Sequence, residues 1–580
     1  QQLTQRWRAP QPQQIRIDCP ASCVSLFESV RSRHEMASAG VARLRARTGP
    51  LPSDIPYMQF ALDGWRRNPQ KTAVVDVLHE QKLTFGELEE RVFRLAGRLQ
   101  KLGVGSQLKV QFHADNSLPT LIALQAALFC NATVVLFSPD KTLKYDEFKF
   151  QTEDSDVQCI IVDVHNYEFL VHSYLDDPSC TVKQVIIVDG RSKLCHSKTV
   201  TIDDVPDAGR FVEPTVRVRD DVLLMLYTSG STGRPKGVLH GHISYMASQM
   251  SMQQLGWFGE HDQFLLMNSL TYVSGVIFHA APLACGSTLL LASNDIEHDF
   301  PRYCRRYKPT VTMLIEIPAR NIVASVDRYP DAREALSSLR LILIAGTVFP
   351  ETLRKSIVDL FTESKFVNGY GMTESMGALV VSDPLPYLAV DAGYAVPNTT
   401  LRVVDKVGAP VNVGETGEIL FDGIQKMFGY WKQPNDSFTD DNFFRTGDLG
   451  FIDDDGNLTL MGRNKHFIIC LDSRVSPLEI EEALLEHPNV AEAVVVGVPH
   501  PQYQEAPAAL VVVRNKSALT PTLASELTHF IENKFAEYKQ LHGGVFFADE
   551  LQRTTSGKYA RSAIAKTVLR LVKESQGSPM

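Results

Sequence analysis

The sequence predicts an α/β protein built on parallel sheet, closed by a small antiparallel β subdomain and followed by a separate small α+β unit. Between Thr84 and Ala345, short apolar runs alternate with helical stretches, the β-α-β rhythm that leads to parallel sheet. From Gly393 the texture changes to short alternating segments broken by Gly-Ala-Pro, Gly-Glu-Thr-Gly and Asp-Asp-Asp-Gly turns. Beyond Arg463 a helix, two strands and a helix follow in a fresh pattern.

Taken in order, Thr84-Phe-Gly-Glu87 reads as a capping box. Phe85, Leu88, Val92, Leu95, Leu99 and Leu102 then recur at three- and four-residue spacing, so the stretch is an amphipathic helix stopped at Gly103. Leu108 to Phe112 reads as a strand, Leu118 to Cys130 as a helix and Thr133 to Phe137 as a buried strand. The rhythm returns at Cys159 to Val162, at Gln184 to Val188, and from Val222 through Val238 into Ile243 to Met250. Ser287 to Leu291 and Leu341 to Ala345 are further apolar runs bounded by Gly or charge. Leu401 to Val404, Gly417 to Phe421 and Gly450 to Ile452 supply the antiparallel segments. The last unit should hold a helix at Pro477 to Glu486, strands at Ala493 to Val498 and Ala508 to Val513, and a helix at Leu523 to Lys534. No fixed-period repeat or low-complexity tract interrupts the chain.

At 580 residues the chain exceeds one ordinary core. A net charge of -9 with no long basic run argues against a nucleic-acid partner. Nine scattered cysteines form neither a CxxC pair nor a metal cluster, as expected of buried thiols in a reducing compartment. The longest apolar stretch, Leu121 to Phe137, carries Gln125 and Asn131, so no transmembrane segment is expected. The first 50 residues hold eight arginines, three acids and no lysine, which fits a mitochondrial transit segment and also a solvated surface arm. The chain begins with Gln rather than Met, which leaves a start further upstream open. Its final Ser-Pro-Met is not a peroxisomal address. The expected location is cytoplasmic, with mitochondrial as the alternative.

Leu226-Tyr-Thr-Ser-Gly-Ser-Thr-Gly-Arg-Pro-Lys-Gly-Val238 has the residue types of a phosphate cradle. Gly230, Gly233 and Gly237 let backbone N–H groups converge on an anion. Thr228, Ser229, Ser231 and Thr232 add hydroxyl donors, and Lys236 adds a point charge suited to a polyphosphate. The order is not that of a Walker loop, which disfavours a P-loop NTPase. In Asn368-Gly-Tyr-Gly-Met-Thr-Glu-Ser375, Tyr370 beside Gly371 offers a flat face to a planar base, Thr373 a hydroxyl to a phosphate, and Glu374 a hard oxygen to Mg²⁺. In Arg445-Thr-Gly-Asp448 the carboxylate can accept two ribose hydroxyls.

Together and in this order, from Pro56 to Val572, these motifs resemble the adenylate-forming superfamily, which contains acyl-CoA synthetases, 4-coumarate-CoA ligases, beetle luciferases and peptide-synthetase adenylation domains. The resemblance implies a large domain at 51–463, with two parallel α/β subdomains and the small β subdomain, a mobile lid at 464–580, and residues 1–50 as an N-terminal arm. It implies that Gly346 lines an adenine pocket, that Asp448 holds the ribose, and that Arg463 contacts ribose and phosphate. Lys465 falls at the hinge. In Leu551-Gln-Arg-Thr-Thr-Ser-Gly-Lys558, Lys558 would touch both the acyl carboxylate and the α-phosphate, so that Lys558, Thr373 and Glu374 form the catalytic set.

The resemblance implies MgATP and CoA as reactants and a small carboxylic acid as substrate. The acid's pocket would be framed by Tyr272, Ser274 and Thr347, with Leu314 to Ile317 and Phe349 beside them; its apolar character suggests a fatty or aryl acid. Two features depart from the family. Leu471 and Asp472 stand where glycine is usual, in a loop that borders the pantetheine tunnel, and no histidine lies near Thr271 or Tyr272. The expected activity is therefore an ATP-dependent carboxylate-CoA ligase acting through an acyl-adenylate. The alternatives are an adenylate-forming enzyme with another acceptor, a carrier protein or oxygen, and a non-catalytic nucleotide or acyl binder. The oligomeric state is left open.

Overall fold

The computed structural model describes residues 43–45 and 49–577, apart from 53, 137–144, 208–209, 229–234, 347–348, 390–391, 464–465, 472, 521 and 555–557. Two large sheets carry the first part of the chain. In one, strands run in the order 429–430, 236–241, 222–228, 133–136, 109–113, 159–163, 184–189 and 199–201. All neighbours from 222–228 onward are parallel, and the first two strands add antiparallel at the edge. In the other the order is 394–395, 377–381, 365–372, 341–345, 311–314, 263–266, 288–291, 72–76 and 81–84, parallel in the middle and antiparallel at both edges.

Burial on both sheet faces explains the continuous apolar runs. Leu341 and Leu343 point into one core, whereas Ile342 and Ile344 point into another on the opposite face. The first core lies between the two sheets and is filled by the helices Tyr57–Trp65, Phe85–Lys101, Leu118–Phe129, His242–Gln254 and Val273–Ala284. Leu118–Phe129 is buried on nearly every side, which accounts for its lack of a polar stripe. Gly64 packs so closely on Val273–Ala284 that an added Cβ would lie 2.6 Å from the Ala284 carbonyl. Asn116 ties the sheets together: its buried amide donates to the Asn268 and Ala292 carbonyls at 2.9 and 2.6 Å and accepts from Leu270 N–H at 2.7 Å.

The helix Phe85–Lys101 carries the capping box its sequence predicts. Glu87 N–H donates to Thr84 Oγ1 at 3.2 Å and Thr84 N–H to Glu87 Oε2 at 2.8 Å. Thr84→Ala is expected to weaken this end by about 1 kcal/mol, read as faster amide exchange at Phe85 to Glu87.

The small antiparallel sheet orders strands 43–45, 399–404, 417–423, 444–452 and 458–463. Residues 43–45 thus pair with Thr400 to Arg402, while 1–42 lie outside the described residues. The last unit is a sheet of 473–475, 468–470, 504–513 and 490–500, with 545–547 added parallel to 504–513. Ala493 and Val495 face the helices Pro477–Leu485 and Leu523–Glu532, and Val494, Val496 and Val498 face the last helix, Arg561–Gly577.

The structure extends several readings. The stretch after the Gly- and Ser-rich loop is a return strand, Lys236–Gly241, antiparallel to Val222–Thr228, with residues 429–430 paired to its outer edge. Phe444–Ile452 and Val490–His500 are longer than predicted.

Candidate active site

Ligands of open parallel sheets sit beyond the carboxyl ends of the strands. Here strand Leu341–Ala345 ends in Gly346, exposed and at φ +96°, beside the parallel strand Lys365–Met372 that carries Tyr370. Gly371 must be glycine, since a Cβ would lie 2.0 Å from the Gly377 carbonyl oxygen.

Tyr370, Asp448 and Arg463 meet at this edge. Tyr370 donates its hydroxyl to Asp448 Oδ2 at 2.6 Å, and Arg463 Nε donates to Oδ1 at 2.7 Å. Asp448 and Arg463 face each other across paired strands, and Thr446 Oγ1 accepts the Asp448 N–H at 3.0 Å. Burial raises the Asp448 carboxyl above the ordinary carboxylate range, opposed by Arg463, Tyr370 and Lys558.

Glu374 sits on a single turn, Thr373–Ser375, fixed from three sides. Tyr430 donates its hydroxyl to Glu374 Oε1 at 2.7 Å, Met427 N–H donates to the Glu374 carbonyl at 3.0 Å, and His240 Nε2 lies 2.7 Å from the Thr373 carbonyl. Burial pushes the His240 imidazole down to about 4, which keeps it neutral near pH 7. Lys236 Nζ lies 4.8 Å from the centre of the Tyr430 ring, so Tyr430 meets a cation at its ring and a carboxylate at its hydroxyl. Glu374 Oε2 has no hydrogen-bond partner among the described residues, and these hold no cluster of three His, Cys, Asp or Glu. One carboxylate that leaves the remaining positions to phosphate oxygens and water suits Mg²⁺, which dehydrates reluctantly.

The base of the cradle is pinned from outside. Tyr227 donates to Asp154 Oδ2 at 2.5 Å, Trp431 Nε1 to the Asp154 carbonyl at 2.9 Å, and Trp431 N–H to the Gly237 carbonyl at 2.7 Å. Thr228 ends its strand half-buried, whereas Ser229, Gly230, Ser231, Thr232 and Gly233 lie outside the described residues.

From the small unit, Lys558 reaches the same place. Thr554 N–H donates to the Lys558 carbonyl at 2.7 Å, and next to it Tyr559 donates to Glu492 Oε2 at 2.9 Å. Arg561 makes a two-pronged contact with the buried Glu481 at 2.7 and 2.6 Å. Lys558 is exposed as a residue, yet its ammonium stands in a cleft crowded by protein. Desolvation lowers its pKa first and Arg463 adds to that, while Asp448 and Glu374 oppose the shift. A bound polyphosphate would add negative charge and restore its hold on the proton.

Of the residues expected to frame the acid's pocket, Tyr272 is half-buried just before the helix Val273–Ala284. Ser274 is buried, with a hydroxyl that finds no partner among the described residues. Thr347, Lys465, expected at the hinge, and Asp472 lie outside the described residues. The motifs alone gave no sign of the contacts of Asp154, Tyr430 and His240, because each joins segments at least 56 residues apart.

A family model described as AMP-binding enzyme matches residues 63–431, and one described as AMP-binding enzyme C-terminal domain matches 479–558. The chain is 29% identical over 507 residues to a 2-succinylbenzoate–CoA ligase of Bacillus licheniformis, spanning 85% of this chain and 96% of the relative. It is 30% identical over 517 residues to a feruloyl-CoA synthase of an Amycolatopsis species, spanning 86% and 96%. In fold it is similar to the crystal structure of the anthranilate CoA ligase AuaEII in complex with anthranoyl-AMP, with a TM-score of 0.78, 22% identity, and 90% of this chain and 99% of that one covered.

Proposed function

The chain belongs to the AMP-binding enzyme family, and from that premise we propose that it is an ATP-dependent carboxylate–CoA ligase that works through an acyl-adenylate. The observation that carries this reading is the convergence of Lys558 with Asp448, Arg463 and Glu374, groups contributed by two separately packed units.

In the proposed first half-reaction the acid's carboxylate oxygen attacks the α-phosphorus of ATP. The bond to the bridging oxygen breaks and pyrophosphate leaves. Lys236 and the cradle grip the β- and γ-phosphates, Asp448 and Arg463 orient the ribose, and Tyr370 with Gly346 and Gly371 flank the base. Lys558 stabilises charge gathering on the phosphoryl oxygens. Glu374 would hold Mg²⁺, which when bound neutralises phosphate charge, and the Thr373 hydroxyl would donate to a phosphate oxygen. In the second half-reaction the CoA thiol attacks the acyl carbonyl, and AMP leaves. We propose that the unit 464–580 turns about Lys465 between these steps, relative to 51–463, and withdraws Lys558.

The relatives named above favour an aryl acid over a fatty one, with Tyr272, Ser274 and Thr347 framing its pocket. Support for CoA as acceptor comes from Leu471, which takes φ +50°, the left-handed conformation that glycine adopts without cost. The turn is thus built in spite of the side chain. Leu471→Gly should remove about 1 kcal/mol of backbone strain and leave thioester formation at or above the wild-type rate in single-turnover assays with pre-formed adenylate. Among the described residues the free cysteines, five of them buried, fit a reducing compartment, and we propose a cytoplasmic location, to be checked by imaging a tagged full-length chain.

A panel of carboxylic acids with MgATP and then CoA, followed by mass detection of adenylates and thioesters, tests the reading. Adenylate without thioester would reassign the acceptor. Absence of both across the panel, with nucleotide still bound, would make the chain a binder.

A further inference from the structure

His240 lies on the strand Lys236–Gly241, four residues after Lys236 and therefore on the same side of it. Its ring is fully buried. A carbonyl only accepts, so at 2.7 Å from the Thr373 oxygen Nε2 must carry the hydrogen, and Nδ1 faces Ser244 Oγ at 3.2 Å. The Thr373 carbonyl also accepts the Met376 N–H at 3.0 Å, which closes the turn that presents Glu374. On its other side this turn is held by Met427 N–H and the Tyr430 hydroxyl, from a segment that itself pairs with Val238 and Leu239.

We propose that His240 is a positioning residue for adenylation: its Nε2–H fixes the Thr373 carbonyl and so sets the Thr373 hydroxyl and Glu374 carboxylate in register with Lys236. The strand that grips the phosphates and the turn that carries the metal ligand then move as one body. This rests on the function proposed above. By contrast, the nearby His242 accepts from Tyr57 N–H at 3.1 Å and pairs with Asn131 at 2.9 Å, well away from the turn.

His240→Leu keeps the bulk and removes the donor, while His240→Gln restores an N–H at similar reach. In acid-dependent pyrophosphate release, His240→Leu should lower kcat by about a hundredfold, the effect of an error of about 1 Å in placement. The KM for the acid should stay within about twofold, and His240→Gln should recover most of the loss. AMP affinity, set by Tyr370 and Asp448, should not change in either variant. Amide exchange across Thr373 to Met376 reads the tie without turnover and should quicken in His240→Leu alone. Unchanged exchange in His240→Leu, or a His240→Gln variant as slow as His240→Leu, overturns the inference. A wild-type chain that releases no pyrophosphate with any acid overturns the proposed function instead, and the exchange result still decides the role of His240.

Discussion

Lys558→Ala is expected to lower acid-dependent pyrophosphate release by about 10²- to 10³-fold, the loss seen when one preorganised donor to a developing oxyanion is removed. Thioester formation from pre-formed acyl-adenylate should survive, since by then the proposed rotation has withdrawn the lysine. The reason is electrostatic. Lys558 lies in a crowded cleft beside Arg463, where desolvation outweighs the pull of Asp448 and Glu374 and lowers its pKa, so a bound triphosphate would complete the compensation of its charge. A cation that is costly in the free enzyme and satisfied by the reacting phosphates favours the transition state over the resting state. Lys558→Arg should not restore the rate, because a planar guanidinium does not place a point charge where an ammonium does. Release by Lys558→Ala within threefold of wild type would remove Lys558 from the chemistry.

Much of this arrangement can be read in the sequence wherever the determining interactions are local. The Thr84 capping box spans four residues and forms as written. The run Leu118 to Cys130 shows a helix because one buried on all sides needs no polar face. Gly371 is singled out in the sequence as the neighbour of Tyr370, and the structure adds the close approach to Gly377 that only glycine allows. What stayed hidden is the pairing of distant segments. Tyr227 to Val238 reads as a loop with phosphate chemistry, but it runs into a return strand that pairs with Val222–Thr228, and residues 429–430 add to its outer edge from far along the chain. The sequence offers Glu374 as a metal ligand and singles out the pair Tyr430-Trp431, but says nothing of the contacts by which Tyr430 holds Glu374 and His240 holds the Thr373 carbonyl, across 56 and 133 residues. Helix Tyr57–Trp65 was likewise invisible, since its place depends on Gly64 meeting Ala284 on another helix.

Asp448→Asn is the second test with a large expected effect, and stability and function should part in it. If the carboxylate accepts the ribose hydroxyls, the variant, which keeps one acceptor oxygen, weakens that contact by about the 1.5 to 3 kcal/mol that one charge-assisted hydrogen bond is worth. The KM for ATP should then rise by roughly 10- to 150-fold, with the KM for the acid much less affected. The fold should respond differently. Burial raises the Asp448 pKa in spite of Arg463, Tyr370 and Lys558, so the folded state binds the proton more tightly than the unfolded chain does. The group's contribution to stability is thus greatest below the ordinary carboxylate range and is lost as pH rises through the raised folded pKa. The Asn variant does not titrate there, so its melting temperature should gain on wild type across that window and run parallel above it. A carboxylate kept charged at the expense of stability is what a binding site, rather than a packing contact, would retain. If Asp448→Asn instead left the ATP dependence intact and its melting curve tracked wild type at every pH, the carboxylate would serve only to hold Arg463, and the nucleotide would have to be oriented by other groups.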